Sequence, residues 1–245
     1  MSNKLTVSLQ GGLGNVLFQI AGGSSIAKKN NYQFCLTDLP KTHHSEEDYY
    51  SSILQKWKCY YSSIDNPIDI HEQSYAYSDW TFPPNNALRL CGYFQNYKYI
   101  DSDFVDSLVL PEVDTLHGAF LHIRGGDYVN HWFHDVKLNH YYSRAIQQFP
   151  SNTKFYVMTN DIPYAQTLSF LKTINHEFVD EKNEVRTLAL MKNCTLGGIC
   201  PNSTFSWWGG YLNRSRTIVL PSKWFNDPRM YVEGYFFPGS VVIPV

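Results

Sequence analysis

A short apolar run that ends in a charged, glycine-containing turn constrains this chain most. Phe120–Ile123 predicts a buried strand, and Arg124, Gly125, Gly126 and Asp127 follow directly. In an open α/β sheet, ligands bind at the carboxyl ends of strands, where glycines let the backbone approach closely. An arginine there offers a planar fork of donors that matches a phosphate. The pattern predicts an anion site for a nucleotide or sugar-nucleotide phosphate; the alternative is a solvated turn in which Arg124 and Asp127 pair locally.

Strands and helices alternate along both halves of the chain. Lys4–Leu9 predicts a strand, Gln10–Asn15 is a glycine-rich turn, and apolar residues at helical spacing continue to Lys29. Further strand and helix patterns follow residue 118. The alternation predicts an α/β fold of two doubly wound, Rossmann-like domains facing a cleft. The linker-like segment 111–118 sets the boundary, so we expect an N-terminal domain over residues 1–115 and a C-terminal domain over 116–245.

The first glycine turn also permits a dinucleotide-binding interpretation. Gly12-x-Gly14 follows a strand, and Asp38 ends the next strand, where a ribose-binding acid would stand. Leu17 occupies the position of the third glycine of that fingerprint. A nicotinamide or flavin site is therefore the weaker alternative.

Two polar segments near the carboxyl half of the chain add candidate anion ligands. Asn202–Ser206 precedes an apolar helical pattern, and a helix N-terminus presents free N–H groups and about half a positive charge to an anion. A pyrophosphate fits there, although Ser and Thr at this position also serve as plain helix caps. Thr159–Asp161 ends the predicted strand Lys154–Met158 on the same side as the Arg124 turn.

Composition excludes several classes of function. The net charge of −2 and the pI of about 6.5 leave no basic stripe for nucleic acid. No signal peptide or membrane-spanning run is evident, so we expect a cytoplasmic protein, soluble or peripheral to a membrane. The five cysteines form no Cys-x-x-Cys pair, and His131, His134 and His140 lack carboxylates at ligand spacing, so we expect no metal. The aromatic content of 16% gives mild support to a carbohydrate ligand.

Four segments taken together resemble one family. They are Gln10–Gln19, Gly92–Tyr99, His122–Tyr128 and Asn202–Gly209, and with the residues between them they span most of the chain. In these segments and in their order, the chain is similar to the α-1,2-fucosyltransferases of glycosyltransferase family 11. The resemblance implies a GT-B type fold and an inverting enzyme that moves L-fucose from GDP-fucose to the 2-hydroxyl of a terminal galactose on an oligosaccharide. It also implies that no metal or other cofactor is required.

The resemblance carries site roles onto this chain. His122, Arg124 and Asp127 match the motif that serves the donor diphosphate, and Arg124 would stabilise the negative charge of the departing GDP. Asp127 is the first candidate for the general base and His122 the second. The resulting donor-binding set is Gly12, Asn15, His122, Arg124, Asn160, Asp161, Asn202, Ser203, Thr204 and Ser206.

The chain departs from the family pattern at two places. Gly125 stands where a second arginine is usual, and Thr159-Asn160-Asp161 stands where a Ser-Asp-Asp type sequence is common. Losing a charge-assisted hydrogen bond costs about 1.5–3 kcal/mol. A catalytically impaired glycan or nucleotide-sugar binding protein with the same fold is therefore the alternative. Because Arg124 is retained, we favour a working galactoside α-1,2-fucosyltransferase.

Overall fold

The computed structural model describes residues 3–37 and 48–245, which form two compact units. Unit 1 comprises Met1–Leu110 with Glu233–Tyr235, and unit 2 comprises Pro111–Val232 with Phe236–Val245. The division at Leu110 lies five residues before the boundary expected from the sequence. Residues 111–118 carry no apolar periodicity, so their sequence does not locate a boundary more closely than the segment itself.

Unit 1 is built on a four-stranded parallel sheet. Its strands are β1 (Lys4–Val7), β2 (Gln33–Phe34), β3 (Ile68–His71) and β4 (Ala87–Cys91), in the order β2-β1-β4-β3. Helix α1 (Leu13–Lys29) joins β1 to β2, and α2 (Ser102–Ser107) follows β4. Four 3₁₀ helices span Tyr49–Ser51, Gln55–Tyr60, Tyr97–Tyr99 and Glu233–Tyr235.

Unit 2 is built on a six-stranded parallel sheet in the order β10-β9-β8-β5-β6-β7. Its strands are β5 (Ala119–Ile123), β6 (Phe155–Thr159), β7 (His176–Phe178), β8 (Gly197–Ile199), β9 (Thr217–Pro221) and β10 (Val241–Ile243). The helices are α3 (Asn139–Ala145), α4 (Ile162–Thr167), α5 (Glu184–Lys192) and α6 (Thr204–Leu212), and 3₁₀ helices span Gly126–Tyr128, Ile146–Gln148 and Ser169–Thr173.

The core of unit 2 surrounds its central strand. All five residues of β5 are buried, which is typical of a strand in the middle of a parallel sheet that is covered on both faces. The sequence does not predict β7 and β10, which are three-residue edge strands with half-exposed residues. Such strands are too short for an apolar pattern to stand out.

In unit 2 the strand order reverses once, between β5 and β8. In unit 1 the chain steps outward from β1 to β2, crosses to β3 and steps back to β4, so the switch point lies between the neighbours β1 and β4. The loops that leave the carboxyl ends of strands at such a switch point form the usual ligand crevice of an open α/β sheet. The four segments that carry the family resemblance follow or end these four strands.

No helix in residues 3–37 or 48–245 combines the length and the apolar character needed to cross a membrane.

Candidate functional site

Arg124 is the first residue after β5, at the switch point of unit 2. Its side chain is 22% exposed, and its Nη2 donates a hydrogen bond of 2.6 Å to Asp127 Oδ1. The guanidinium carbon lies 4.9 Å from the centre of the Tyr128 ring. The Nε–H group is buried and has no hydrogen-bond partner among the described residues. Because an unsatisfied buried donor is costly, this N–H is suited to a ligand oxygen.

The loop after β6 holds the Arg124 turn by its backbone. Asn160 Oδ1 accepts from Gly125 N at 2.9 Å, and Asp161 Oδ2 accepts from Gly126 N at 3.0 Å. The other Asp161 oxygen accepts from Tyr164 N at 3.0 Å and so caps α4. The sequence places Asn160 and Asp161 in the donor-binding set; with these oxygens engaged, the geometry gives both residues a positioning role.

Gly125 occupies a site with no room for a side chain. A Cβ atom added there would lie 2.6 Å from Asp161 Cβ and 2.9 Å from Tyr164 Cδ1, closer than real Cβ contacts. An arginine at this position would have to displace Asp161 from the backbone that it supports. Glycine at 125 therefore matches its surroundings in this chain.

His122 is a buried neutral imidazole on β5. The residue is 4% exposed, and its ring centre lies 5.7 Å from that of Phe205. Its Nδ1 has no hydrogen-bond partner in the part of the chain that the structure describes. Desolvation, with a smaller contribution from the charge of Arg124, lowers the pKa of His122 to about 3. A group with so low a pKa is a weak proton acceptor at neutral pH. Of the two base candidates, Asp127, with 59% of its side chain exposed, is better suited.

The loop after β8 leads into the N-terminus of α6. Ser203 is the N-cap residue by backbone conformation, but its side chain does not cap the helix. Ser206 is fully buried, and its Oγ donates to Ser203 O at 3.3 Å. Asn202 Nδ2 donates to His134 O at 2.9 Å and to Trp224 O at 2.8 Å. Asn202 and Ser206 thus shape the helix start, and Ser203 and Thr204 remain the candidates for ligand contact.

A shallow pocket of about 20 Å³ adjoins Arg124. A space of this size holds little more than one water-sized group, so a nucleotide would insert one group and lie largely outside it. Besides Tyr128 and His134, the lining includes residues to which the sequence assigns no part in an anion site: Asn139, Tyr142 and Tyr164. No spacing links these positions to Arg124 in the sequence.

The switch point of unit 1 is held together by uncharged amides. Gln19 accepts from Gln10 N at 3.0 Å and donates to Gly92 O at 3.1 Å. Asn15 Oδ1 accepts from Gln95 Nε2 at 2.8 Å, and Tyr235 OH donates to Gln95 Oε1. Gly12 is the N-cap of α1. Gly12 and Asn15 therefore lie at the start of α1, and Asn15 contacts the loop that follows β4.

The remaining candidate ligands from the sequence are three histidines and Asp38. The ring centres of His131 and His134 lie 4.9 Å apart, and His140 is an exposed residue of α3. Within the described ranges, the one group of three potential metal ligands is Asp69, His71 and Cys91. Asp38, on which the dinucleotide alternative depends, lies outside the described residues.

Two units, each built on a parallel sheet with helices between its strands, define the class of open-sheet α/β proteins. The family model for glycosyl transferase family 11 matches residues 116–242, just over half of the chain. The chain therefore belongs to glycosyltransferase family 11.

Two curated relatives from Escherichia coli match part of the chain. The O-antigen biosynthesis glycosyltransferase WbnK is 32% identical over 117 residues, which cover 43% of this chain and 38% of the relative. An alpha-1,2-colitosyltransferase is 28% identical over 117 residues, which cover 43% of this chain and 40% of the relative. The matches thus span about two fifths of each relative's length.

Solved structures share the fold over most of the chain. The fucosyltransferase NodZ from Bradyrhizobium matches with a TM-score of 0.54 and 11% identity, covering 85% of this chain and 93% of NodZ. An Arabidopsis thaliana FUT1 mutant in complex with GDP matches with a TM-score of 0.56 and 9% identity, covering 95% and 73% of the two chains. The predicted α/β fold of the GT-B type is confirmed.

Proposed function

We propose that this chain is an inverting fucosyltransferase that moves L-fucose from GDP-fucose to the 2-hydroxyl of a terminal galactose on an oligosaccharide. Membership of glycosyltransferase family 11 supports glycosyl transfer. The similarity to an alpha-1,2-colitosyltransferase supports a 1,2 linkage, whereas NodZ, which shares the fold and whose structure has been solved after soaking with GDP-fucose, is an alpha-1,6-fucosyltransferase. The linkage is therefore a specific point of the test.

The observation that carries the proposal is the convergence at the unit 2 switch point. Strands β5 and β8 are neighbours, so the Arg124 turn and the start of α6 leave the same edge of the sheet. Arg124 supplies a cation with a free buried N–H, and α6 adds the partial positive charge of a nine-residue helix. Both suit a diphosphate.

The chemistry follows from this charge. Fucosyl transfer builds an oxocarbenium-like sugar while negative charge grows on the departing GDP, and fixed cationic donors stabilise that charge. Arg124 and the α6 N-terminus would perform this role, with His122 as a neutral neighbour. We propose that transfer requires no metal because these groups already supply the positive charge.

Asp127 is the proposed general base. Its exposed carboxylate accepts from Arg124 and would take the proton of the acceptor hydroxyl. Asp127→Asn should lower kcat by about 10²–10⁴-fold with the fold intact. Near-normal turnover in this variant would remove Asp127 from that role.

We assign the donor to unit 2 and the acceptor to unit 1. The half-buried amide of Asn15 and the backbone of the Gly11–Gly12 turn offer donors and acceptors of the kind that bind sugar hydroxyls. They carry no charge that a diphosphate would need.

The deciding experiment incubates the purified chain with GDP-fucose and a panel of galactose-terminated oligosaccharides, with and without EDTA. GDP release, product mass and linkage analysis are followed, and a colitosyl donor is tested in parallel. Transfer to the 2-position that survives EDTA would establish the proposed reaction. Asp127→Asn serves as the low-activity control.

Two other outcomes would change the assignment. Transfer of the colitosyl group alone would assign a colitosyl donor in place of GDP-fucose. A product joined at another hydroxyl would replace the proposed linkage to the 2-hydroxyl. Saturable binding of GDP-fucose without transfer to any galactoside would favour the alternative, a binding protein with this fold.

A further inference from the structure

One face of the unit 1 sheet carries a cluster of polar side chains on neighbouring strands. Asp69 and His71 lie two residues apart on β3, and Cys91 on β4 is the direct partner of His71. Residues two apart on a strand point to the same face, and adjacent strands lie about 4.8 Å apart. The sheet therefore brings a carboxylate, an imidazole and a thiol together.

This cluster faces away from helix α1. Val7 contacts α1, where a Cβ atom on Gly23 would lie 2.2 Å from Val7 Cγ1, and Leu90 pairs with Val7 on that face. Cys91 follows Leu90 and so points to the opposite face. Asp69 and His71 are exposed and Cys91 is half-buried, so a small ion can reach all three.

The ligand atoms are close enough for one metal ion. One carboxylate oxygen, one imidazole nitrogen and the sulfur all lie within 4.8 Å of one another. Bonds of about 2.0–2.3 Å place the ligands of a tetrahedral zinc roughly 3.3–3.8 Å apart. Side-chain rotations that close the cluster by about 1 Å would thus suffice, on a rigid sheet scaffold.

Arg89 pairs with Asp69 but leaves it able to bind a cation. Arg89 Nε and Nη2 donate to the two carboxylate oxygens at 2.8 and 2.9 Å. A carboxylate accepts at about four lone-pair sites, so each oxygen keeps one free. Metal-bound carboxylates are commonly oriented by such outer partners.

We propose that Asp69, His71 and Cys91 form a zinc site with three protein ligands and an open fourth position. The thiol and imidazole favour zinc over magnesium or calcium, which prefer oxygen ligands. A bound ion would clamp the edge strand β3 to β4. The site is separate from the Arg124 turn and does not rest on the proposed transfer reaction.

The test uses the full chain, stripped with EDTA and then freed of chelator, titrated with Zn²⁺ by calorimetry and with Co²⁺ by absorption. We expect one ion per chain, a rise in the midpoint of thermal unfolding, and the near-ultraviolet charge-transfer band of a sulfur-bound Co²⁺. Cys91→Ser should abolish that band, and both Cys91→Ser and His71→Gln should weaken zinc binding by more than about tenfold. Circular dichroism checks that each variant is folded.

Matched controls separate this site from adventitious binding. Cys59→Ser removes an exposed thiol outside the cluster, and His131→Gln disrupts the neighbouring pair with His134. Both should keep the band and the affinity. The proposal is overturned if the sulfur band is absent, if Cys59→Ser removes it, or if zinc binding is unchanged in Cys91→Ser.

Discussion

The switch points of the two units have similar backbone arrangements, but their side chains are charged in unit 2 and uncharged in unit 1. In each unit, a glycine-containing loop leaves a central strand beside a loop from its neighbour. In unit 2 the loop carries Arg124 and Asp127, whereas in unit 1 the corresponding side chains are amides such as Asn15 and Gln95. The topology thus provides a crevice in both units, and the side chains that follow each strand select the ligand of that crevice.

The glycines of the two loops also differ in purpose. Gly11 has a φ of +81°, a conformation that side chains rarely adopt. Gly125 has a negative φ but lies against Asp161 and Tyr164. Position 11 thus needs glycine for its backbone conformation and position 125 for close packing, whereas Gly126, with a φ of +58°, has the first requirement again in unit 2.

The largest expected effect tests the charge difference itself. Arg124→Ala should lower kcat of fucosyl transfer by about 10²–10³-fold, since it removes a preorganised donor to the developing charge. Single-turnover GDP release measures this. Arg214→Ala, which removes an exposed arginine stacked on Tyr211 in the same unit, should change kcat little. Similar losses of kcat in the two variants would show that transfer does not depend on the charge of the unit 2 switch point.

A second prediction separates packing from backbone conformation. Gly125→Ala should lower the free energy of unfolding by roughly 1–3 kcal/mol through overpacking. Gly11→Ala should lower it by about 1–2 kcal/mol through its positive φ, and its new Cβ would also displace the amide of Asn15. Urea titration gives both values. In double mutants with Asp161→Gly, the effect of Gly125→Ala should shrink, because the contact to Asp161 Cβ is gone. The effect of Gly11→Ala should stay the same; coupling of Gly11 to Asp161 would contradict the distinction.

A third prediction concerns acid sensitivity in unit 2. Because the pKa of His122 is lowered to about 3, the unfolded chain binds a proton below pH 6.5 that the folded chain does not. Stability should therefore fall as pH falls from 6.5 towards 5, by at most about 1.4 kcal/mol per pH unit. His122→Phe should flatten this slope in urea titrations, and the exposed His140→Gln should not. An unchanged slope in His122→Phe would show that the imidazole is protonated when folded.

The smallest expected effect is a pH dependence of stability in unit 1, with the opposite sign to that of His122. Burial raises the pKa of Glu72, whose Oε2 accepts from Tyr93 N at 2.8 Å and Phe94 N at 3.1 Å. The folded chain then retains a proton that the unfolded chain loses, so this contribution to stability is lost as pH rises through the folded pKa. Glu72→Gln should make stability less dependent on pH above 4.5, as thermal unfolding at several pH values would reveal. A larger pH dependence of stability in Glu72→Gln would contradict the raised pKa of Glu72.

The comparison also explains how much of the candidate site local sequence could predict. The Arg124 turn and the start of α6 were recognisable because each follows an apolar run and has its own residue pattern. The sequence predicts Asn160, Asp161, Asn202 and Ser206 as donor-binding residues, but it does not predict their hydrogen bonds to the backbone. Those bonds depend on which strands are neighbours, and strand order is not written in any short window.

Local sequence patterns are enough for the α/β class and for four strand-end segments that resemble a glycosyltransferase family, because periodicity and turn residues act over a few positions. The strand orders that bring the Arg124 turn beside α6 follow only from the tertiary structure. It also decided the burial of His122, the neighbours that require glycine at 125, and the meeting of Asp69 with His71 and Cys91. These outcomes depend on packing between residues far apart in the chain, where the burial of apolar surface and the pairing of strands select one arrangement.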